Sequence, residues 1–160
     1  MTLTELNDLP AEDAEQVLLS CCGSRTWARR MAAQRPYATA TDLLQAADEV
    51  ARGLTEDDWL EAFAAHPRIG ERSTSAWSQA EQAAALNASS DVQRQLARAN
   101  REFEELFGFN FIVFASGKTP EKILELMAER MQCPRPAQVA HAAAEQRKIT
   151  DARLKKLLEL

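Results

Sequence analysis

His66 is one of two histidines in a chain of 160 residues, and Pro67 follows it directly. A proline disfavours the α conformation of the residue before it, so this imidazole stands where a helix must stop. The surrounding segment is Phe63-Ala64-Ala65-His66-Pro67-Arg68-Ile69-Gly70-Glu71. The negative end of a helix favours an imidazolium. An imidazole that titrates near neutral pH can give or take a proton during a reaction. The same address also suits a histidine that does no more than stabilise its helix, at about 0.3–1 kcal/mol.

Two other places carry polar chemistry. Ser78-Gln79-Ala80-Glu81 has the spacing of a capping box. A helix start there would gather Ser78, Glu81, Gln82 and free backbone N–H groups, enough to hold a polar heterocycle or an anion. A plain cap is the other reading. Arg153 shares a face of the last helix with Ile149 and Leu157. Burying an unpaired charge is costly, so Arg153 calls for an internal anionic partner, a snorkelling path, or a ligand. As a ligand-binding group its fork suits a carboxylate or a carbonyl-rich ring. His141, set among alanines, reads as a surface or structural residue.

Several other chemistries fail on particular residues. Ser116-Gly117-Lys118-Thr119 looks like the end of a phosphate-binding P-loop, but Ile112 stands where the first glycine is required. There is no HExxH, and His66 and His141 lie far apart with no cysteine cluster, so a zinc site is poorly supported. No GxSxG marks a serine hydrolase, and nothing marks a catalytic cysteine. Cys21, Cys22 and Cys133 are odd in number and form no CxxC, which suits thiols in a reducing compartment. The acidic N-terminus lacks a signal-peptide core, and a cytoplasmic location is expected. The net charge of −5 comes without a basic block, which argues against nucleic acid as a partner. No apolar run approaches the roughly 20 residues that cross a bilayer.

The elements that position these groups read as helix after helix. The expectation is an all-α fold, one domain over residues 1–160. It is a bundle of about seven to nine helices with one short buried extended segment near 109–115. Leu9-Pro10 opens the first clear helix, and Asp42 to Leu54 forms another. Thr55 caps a helix that begins with Glu56, Asp57 and Asp58 and buries Trp59, Leu60, Phe63 and Ala64. Residues 70–77 read as loop. A later helix turns Val92, Leu96, Ala99, Phe103 and Leu106 inward and closes at Gly108. Phe109-Asn-Phe-Ile-Val-Phe-Ala115 is rich in β-branched and aromatic residues, with no second such run to pair with. Thr119-Pro120-Glu121 starts a helix whose core face is Ile123, Leu124, Met127 and Met131. The last helix runs from about Ala137 to Leu158. Leu43/Leu44 and Trp27/Met31 are candidate faces for a second subunit.

Four motifs in colinear order now stand together: His66-Pro67-Arg68-Ile69-Gly70, Ser78-x-x-Glu81-Gln82, Gly108-Phe109-x-Phe111-Ile112, and Lys148-Ile149-x-x-x-Arg153-Leu154. In this combination the chain resembles the OHCU decarboxylases, which act on 2-oxo-4-hydroxy-4-carboxy-5-ureidoimidazoline, the last intermediate between urate and (S)-allantoin. The resemblance implies an all-helical homodimer that needs no metal or organic cofactor. It implies that His66 is the catalytic histidine and Glu81 the carboxylate beside the substrate. Pro67, Ser78 and Gln82 would line the substrate, Arg153 would be the active-site arginine, and Phe111, Ile112, Val113, Phe114 and Ala115 would offer backbone hydrogen bonds. Some relatives have Asp-Leu-Ala-Gly after His-Pro, where this chain has Arg-Ile-Gly-Glu. A non-catalytic helical module for a purine-like ligand or a partner protein is the alternative, and a decarboxylase or hydrolase of another ureido heterocycle is a third.

Overall fold

Short polar side chains set where the helices begin. The Thr39 hydroxyl accepts the Asp42 N–H at 3.1 Å while the Asp42 carboxylate accepts the Thr39 N–H at 2.9 Å. Thr55 and Asp58 repeat this reciprocal cap at 3.3 and 3.0 Å. Thr119 caps the helix that Pro120 opens. The computed structural model describes residues 1–71 and 75–160. Among the described residues it has ten helices and no strand: α1 (Leu3–Asp8), α2 (Ala11–Cys21), α3 (Arg25–Ala33), α4 (Ala40–Arg52), α5 (Glu56–Ala64), α6 (Ala76–Glu81), α7 (Ala83–Leu86), α8 (Ser90–Phe107), α9 (Pro120–Arg130) and α10 (Arg135–Leu157). The all-α class stands. The extra helices are α1, too short to show periodicity, and α7, separated from α6 at Gln82.

The chain divides into two compact units, Met1–Ala62 with Gln146–Leu160, and Phe63–Glu145. In the first, α2 packs on α3 and α3 on α4. Leu6, Leu18, Trp27, Met31 and Leu43 are fully buried there, and the Trp27 indole N–H donates to the Ala47 carbonyl at 3.1 Å. Trp27, Met31 and Leu43 are buried within the chain and offer no face to a second subunit. Arg35 ties off the end of α1, donating from Nη1 to the carbonyls of Leu6, Asn7 and Leu9 at 2.6, 3.2 and 2.8 Å.

In the second unit α8 packs on α9. Phe103 is its aromatic centre, with ring centroids 4.7 Å from Phe107, 5.8 Å from Phe109 and 5.3 Å from Phe111. The buried stripe of α8 is Leu96, Asn100, Phe103 and Phe107, and Leu106 is 61% exposed. The expected stripe through Leu106 is thus corrected by one position, because Phe107 turns its ring to Phe103 instead. On α5, Ala62 is buried and Ala64 exposed, since Trp59, Ala62 and Phe63 form the i, i+3, i+4 face. Gly108 ends α8 at φ +79°, a left-handed conformation that glycine adopts without cost. The segment expected to be extended, residues 109–115, forms neither helix nor sheet and bends at Phe109, with Phe109, Phe111, Ile112, Val113 and Ala115 buried.

Cys22 lies 2% exposed in the first unit. Burial pushes its thiol up from 9.0 to about 11, against hydrogen bonding from Ser24 and Thr150. The unfolded thiol ionises first, so the folded state holds the proton more tightly. This contribution is complete below about pH 9 and is lost as pH rises toward 11, by about 3 kcal/mol. Urea unfolding of Cys22→Ala across that range should show a shallower alkaline loss of stability than the parent chain.

Candidate active site

The backbone of His66 is held at both ends. Its N–H donates to the Phe63 carbonyl at 3.1 Å, where α5 has just ended. Its carbonyl accepts the Asn110 side-chain N–H at 2.9 Å, and Pro67 restricts the next φ. The residues beyond are fastened one after another. Arg68 makes a two-pronged ion pair with Glu104, at 2.6 and 2.9 Å. The Ile69 carbonyl accepts from the buried Asn100 amide at 2.8 Å. Gly70, at φ +86°, donates its N–H to Gln82 Oε1 at 2.9 Å. The Gln82 Nε2 donates in turn to the Glu71 carbonyl at 3.3 Å.

Gln82 is therefore committed at both ends of its amide, and it is 5% exposed. It braces the turn after His66. Ser78 is also placed differently from its expected capping role. The N-cap of α6 is Ser75, whose hydroxyl accepts the Ser78 N–H at 3.3 Å, and Ser78 is buried within the helix. The expected loop at 70–77 includes residues 72–74, which lie outside the described residues, and gives way to α6 at Ala76.

Glu81, the last residue of α6, borders a cleft of about 380 Å³ together with Ala115, Ser116, Lys118 and Thr119. The Lys118 ammonium donates to the Phe114 carbonyl at 2.6 Å and lies 5.5 Å from the Phe114 ring centroid. The Phe114 N–H donates to the Glu145 carboxylate at 2.8 Å, and Glu145 is buried. Phe114 is thus clamped on both sides. Among the described residues, the backbone groups of Phe111, Ile112 and Val113 make no hydrogen bond. Arg130 lies over the Phe111 ring at 5.4 Å, and burial lowers its guanidinium from the ordinary value.

His66, Pro67, Ser78, Glu81, Gln82 and residues 111–115 all fall in the second unit, while Arg153 falls in the first. Arg153 is 8% exposed on α10, and its Nη1 donates to the Ser20 carbonyl at 3.2 Å, in the last turn of α2. Asn100, Asn110 and Glu104 were not among the expected site residues. Asn100 had a signal, a polar residue within an apolar helix stripe. Among the described residues no group of three or more His, Cys, Asp or Glu is arranged to hold a metal ion.

Among the described residues the fold is helices joined by loops, with one buried segment at 109–115 outside any helix and a histidine held at a helix end. The family model for OHCU decarboxylase matches residues 7–155. The chain is 31% identical to an OHCU decarboxylase crystallised in the presence of (S)-allantoin, at a TM-score of 0.82, covering 91% of this chain and 99% of that one. It is 34% identical over 145 residues to an Arabidopsis thaliana uric acid degradation bifunctional protein, covering 86% of this chain and 45% of that one. It is 28% identical to a Haloferax volcanii 2-oxo-4-hydroxy-4-carboxy-5-ureidoimidazoline decarboxylase, covering 96% of this chain and 94% of that one. The chain spans 45% of the Arabidopsis bifunctional protein and 32% of each of two Bacillus bifunctional proteins. The chain belongs to the OHCU decarboxylase family.

Two hydrogen bonds of the Gln82 amide hold the turn after His66. Gln82→Leu should lower the unfolding free energy by about 1–3 kcal/mol, read from urea denaturation.

Proposed function

We propose that this chain decarboxylates 2-oxo-4-hydroxy-4-carboxy-5-ureidoimidazoline to (S)-allantoin in urate breakdown. The observation that carries the reading is the run of buried backbone at Phe111, Ile112 and Val113, whose hydrogen-bonding groups no described residue takes. Buried peptide groups are almost always paired, and a flat ring edged with N–H and C=O groups is a suitable partner. The family model over residues 7–155 and the structural likeness support the same substrate.

The chemistry needs little beyond placement. The bond from the hydroxyl-bearing ring carbon to its carboxylate breaks, and CO2 leaves. The electron pair moves into the adjacent ring C=N, whose nitrogen takes up a proton from water, which leaves an enol. The enol then gives up its hydroxyl proton, and the ureido-bearing carbon gains one. The ring is its own electron acceptor, so the reading calls for no cofactor. His66 takes the hydroxyl proton and delivers the proton that the ureido-bearing carbon gains, directly or through a water it controls, to one ring face. Glu81 and Arg153 hold the ureido, hydroxyl or carboxylate groups. Pro67 and Ser78 shape the wall, and Gln82 acts through the turn it braces. Phe109, Phe111 and Phe114 keep water away, which strengthens each polar contact.

The same reading takes residues 1–160 as one catalytic domain, working as a cytoplasmic homodimer. No helix among the described residues is long and apolar enough to cross a membrane.

His66→Asn should lower kcat by about 10²–10⁴-fold with thermal unfolding unchanged. The intermediate is generated from urate, and allantoin is followed by circular dichroism. Turnover at the wild-type level would remove His66 from the reaction, and slow racemic decay with the unmodified protein would favour a non-catalytic binding module. Arg153→Lys keeps the charge and loses the fork, and should reduce kcat/KM about tenfold or more. An unchanged kcat/KM would leave Arg153 with a structural role.

A further inference from the structure

We propose that Asn110 is a positioning residue that fixes His66 against the extended segment. The inference rests on the proposed role of His66. Asn110 sits between Phe109 and Phe111, at the start of the run whose backbone is unpaired. Its side-chain Nδ2 donates to the His66 carbonyl at 2.9 Å, across 44 residues of sequence. Phe63, three residues before His66, stacks on Phe109 with ring centroids 5.4 Å apart. Two contacts thus join the chain around the histidine to the chain that begins the extended segment.

The Asn110 bond acts on a specific freedom. Pro67 confines the ψ of His66 to the extended range, and within that range the torsion is still to be settled. That torsion sets the direction of the carbonyl that Asn110 holds. Once it is fixed, the Cα and Cβ from which the imidazole extends are fixed with it. The more distant fastenings at Arg68, Ile69 and Gly70 secure the turn beyond and leave this peptide group to Asn110. A proton-transfer group must hold its place within fractions of an ångström to be productive, and a misplacement of about 1 Å can cost 10²-fold in rate. Asn110 therefore sets the distance between the proton donor and whatever lies along Phe111–Val113.

The test uses the full chain and the fact that it has two histidines. Asn110→Leu is similar in size and lacks the donor. It should lower kcat about tenfold while KM stays within about twofold, and it should reduce the enantiomeric excess of the allantoin formed. Without substrate, the ¹H–¹⁵N signals of the His66 imidazole should shift and broaden, with those of His141 unchanged. Wild-type kcat together with unperturbed His66 signals would overturn the proposal. If Asn110→Leu does not fold, Asn110→Asp, isosteric and lacking the amide donor, is read in the same two ways. A wild-type protein that makes no (S)-allantoin would overturn the proposed function, and the imidazole signals would still decide whether Asn110 holds His66.

Discussion

A peptide chain cannot be buried without partners for its N–H and C=O groups except at a cost, and this constraint organises the second unit. An unpaired buried amide costs about 1–3 kcal/mol. The extended segment around Phe111–Val113 carries such groups into the interior without a sheet to receive them. What holds it there is apolar burial, at about 1.5–3 kcal/mol for each large side chain. Phe103 supplies a common ring contact to Phe107, Phe109 and Phe111. Glu145 and Lys118 then clamp the Phe114 peptide from its two sides. The aromatic cluster and the clamps are thus parts of one arrangement, which keeps polar backbone buried and fixed while the helices around it take the load.

Helix content was legible because caps and stripes are local. Thr55, followed by Glu56, Asp57 and Asp58, is visible in four residues, and the structure forms that cap; the cap of Thr39 with Asp42 starts α4 two residues before the expected Asp42. The misreadings are equally local in cause. Ser75 and Ser78 stand three apart and either can cap a helix; Ser75 does so, which places Ser78 inside α6. On α8 a search for apolar residues passes over Asn100 and prefers Leu106. In the fold Asn100 is buried because the Ile69 carbonyl is there to receive its amide. Hydrophobicity alone has no access to that partner, which lies 31 residues away.

The same distinction runs through the candidate site. His66 stood out because histidine is scarce in this chain and a proline follows it. The groups that hold it did not, since Asn110 and Glu104 are ordinary residues until the fold brings them to the 66–71 turn. Gln82 shows the reverse case. Its motif is legible, yet both ends of its amide go to the backbone of Gly70 and Glu71. A residue can belong to a site's signature because it shapes the chain beside the reacting groups. Arg153 likewise has a structural contact in its own unit, the Ser20 carbonyl, alongside the role proposed for it.

The heavy investment in backbone restraint around one histidine follows from what the proposed reaction asks of a protein. The ring accepts the electrons, so the protein's share is to hold the ring, exclude water and choose a face for the proton. A 99:1 preference between faces corresponds to about 2.7 kcal/mol between two transition states. Net contributions of single hydrogen bonds are about 0.5–1.5 kcal/mol. The preference between faces is therefore matched by about two to five such bonds together. A turn free to shift would let the imidazole approach either face at an energy comparable to the whole preference. Fastening it at His66, Arg68, Ile69 and Gly70 by separate side chains raises the energy of every such shift. Selectivity then depends less on the strength of the acid than on how little its backbone can move.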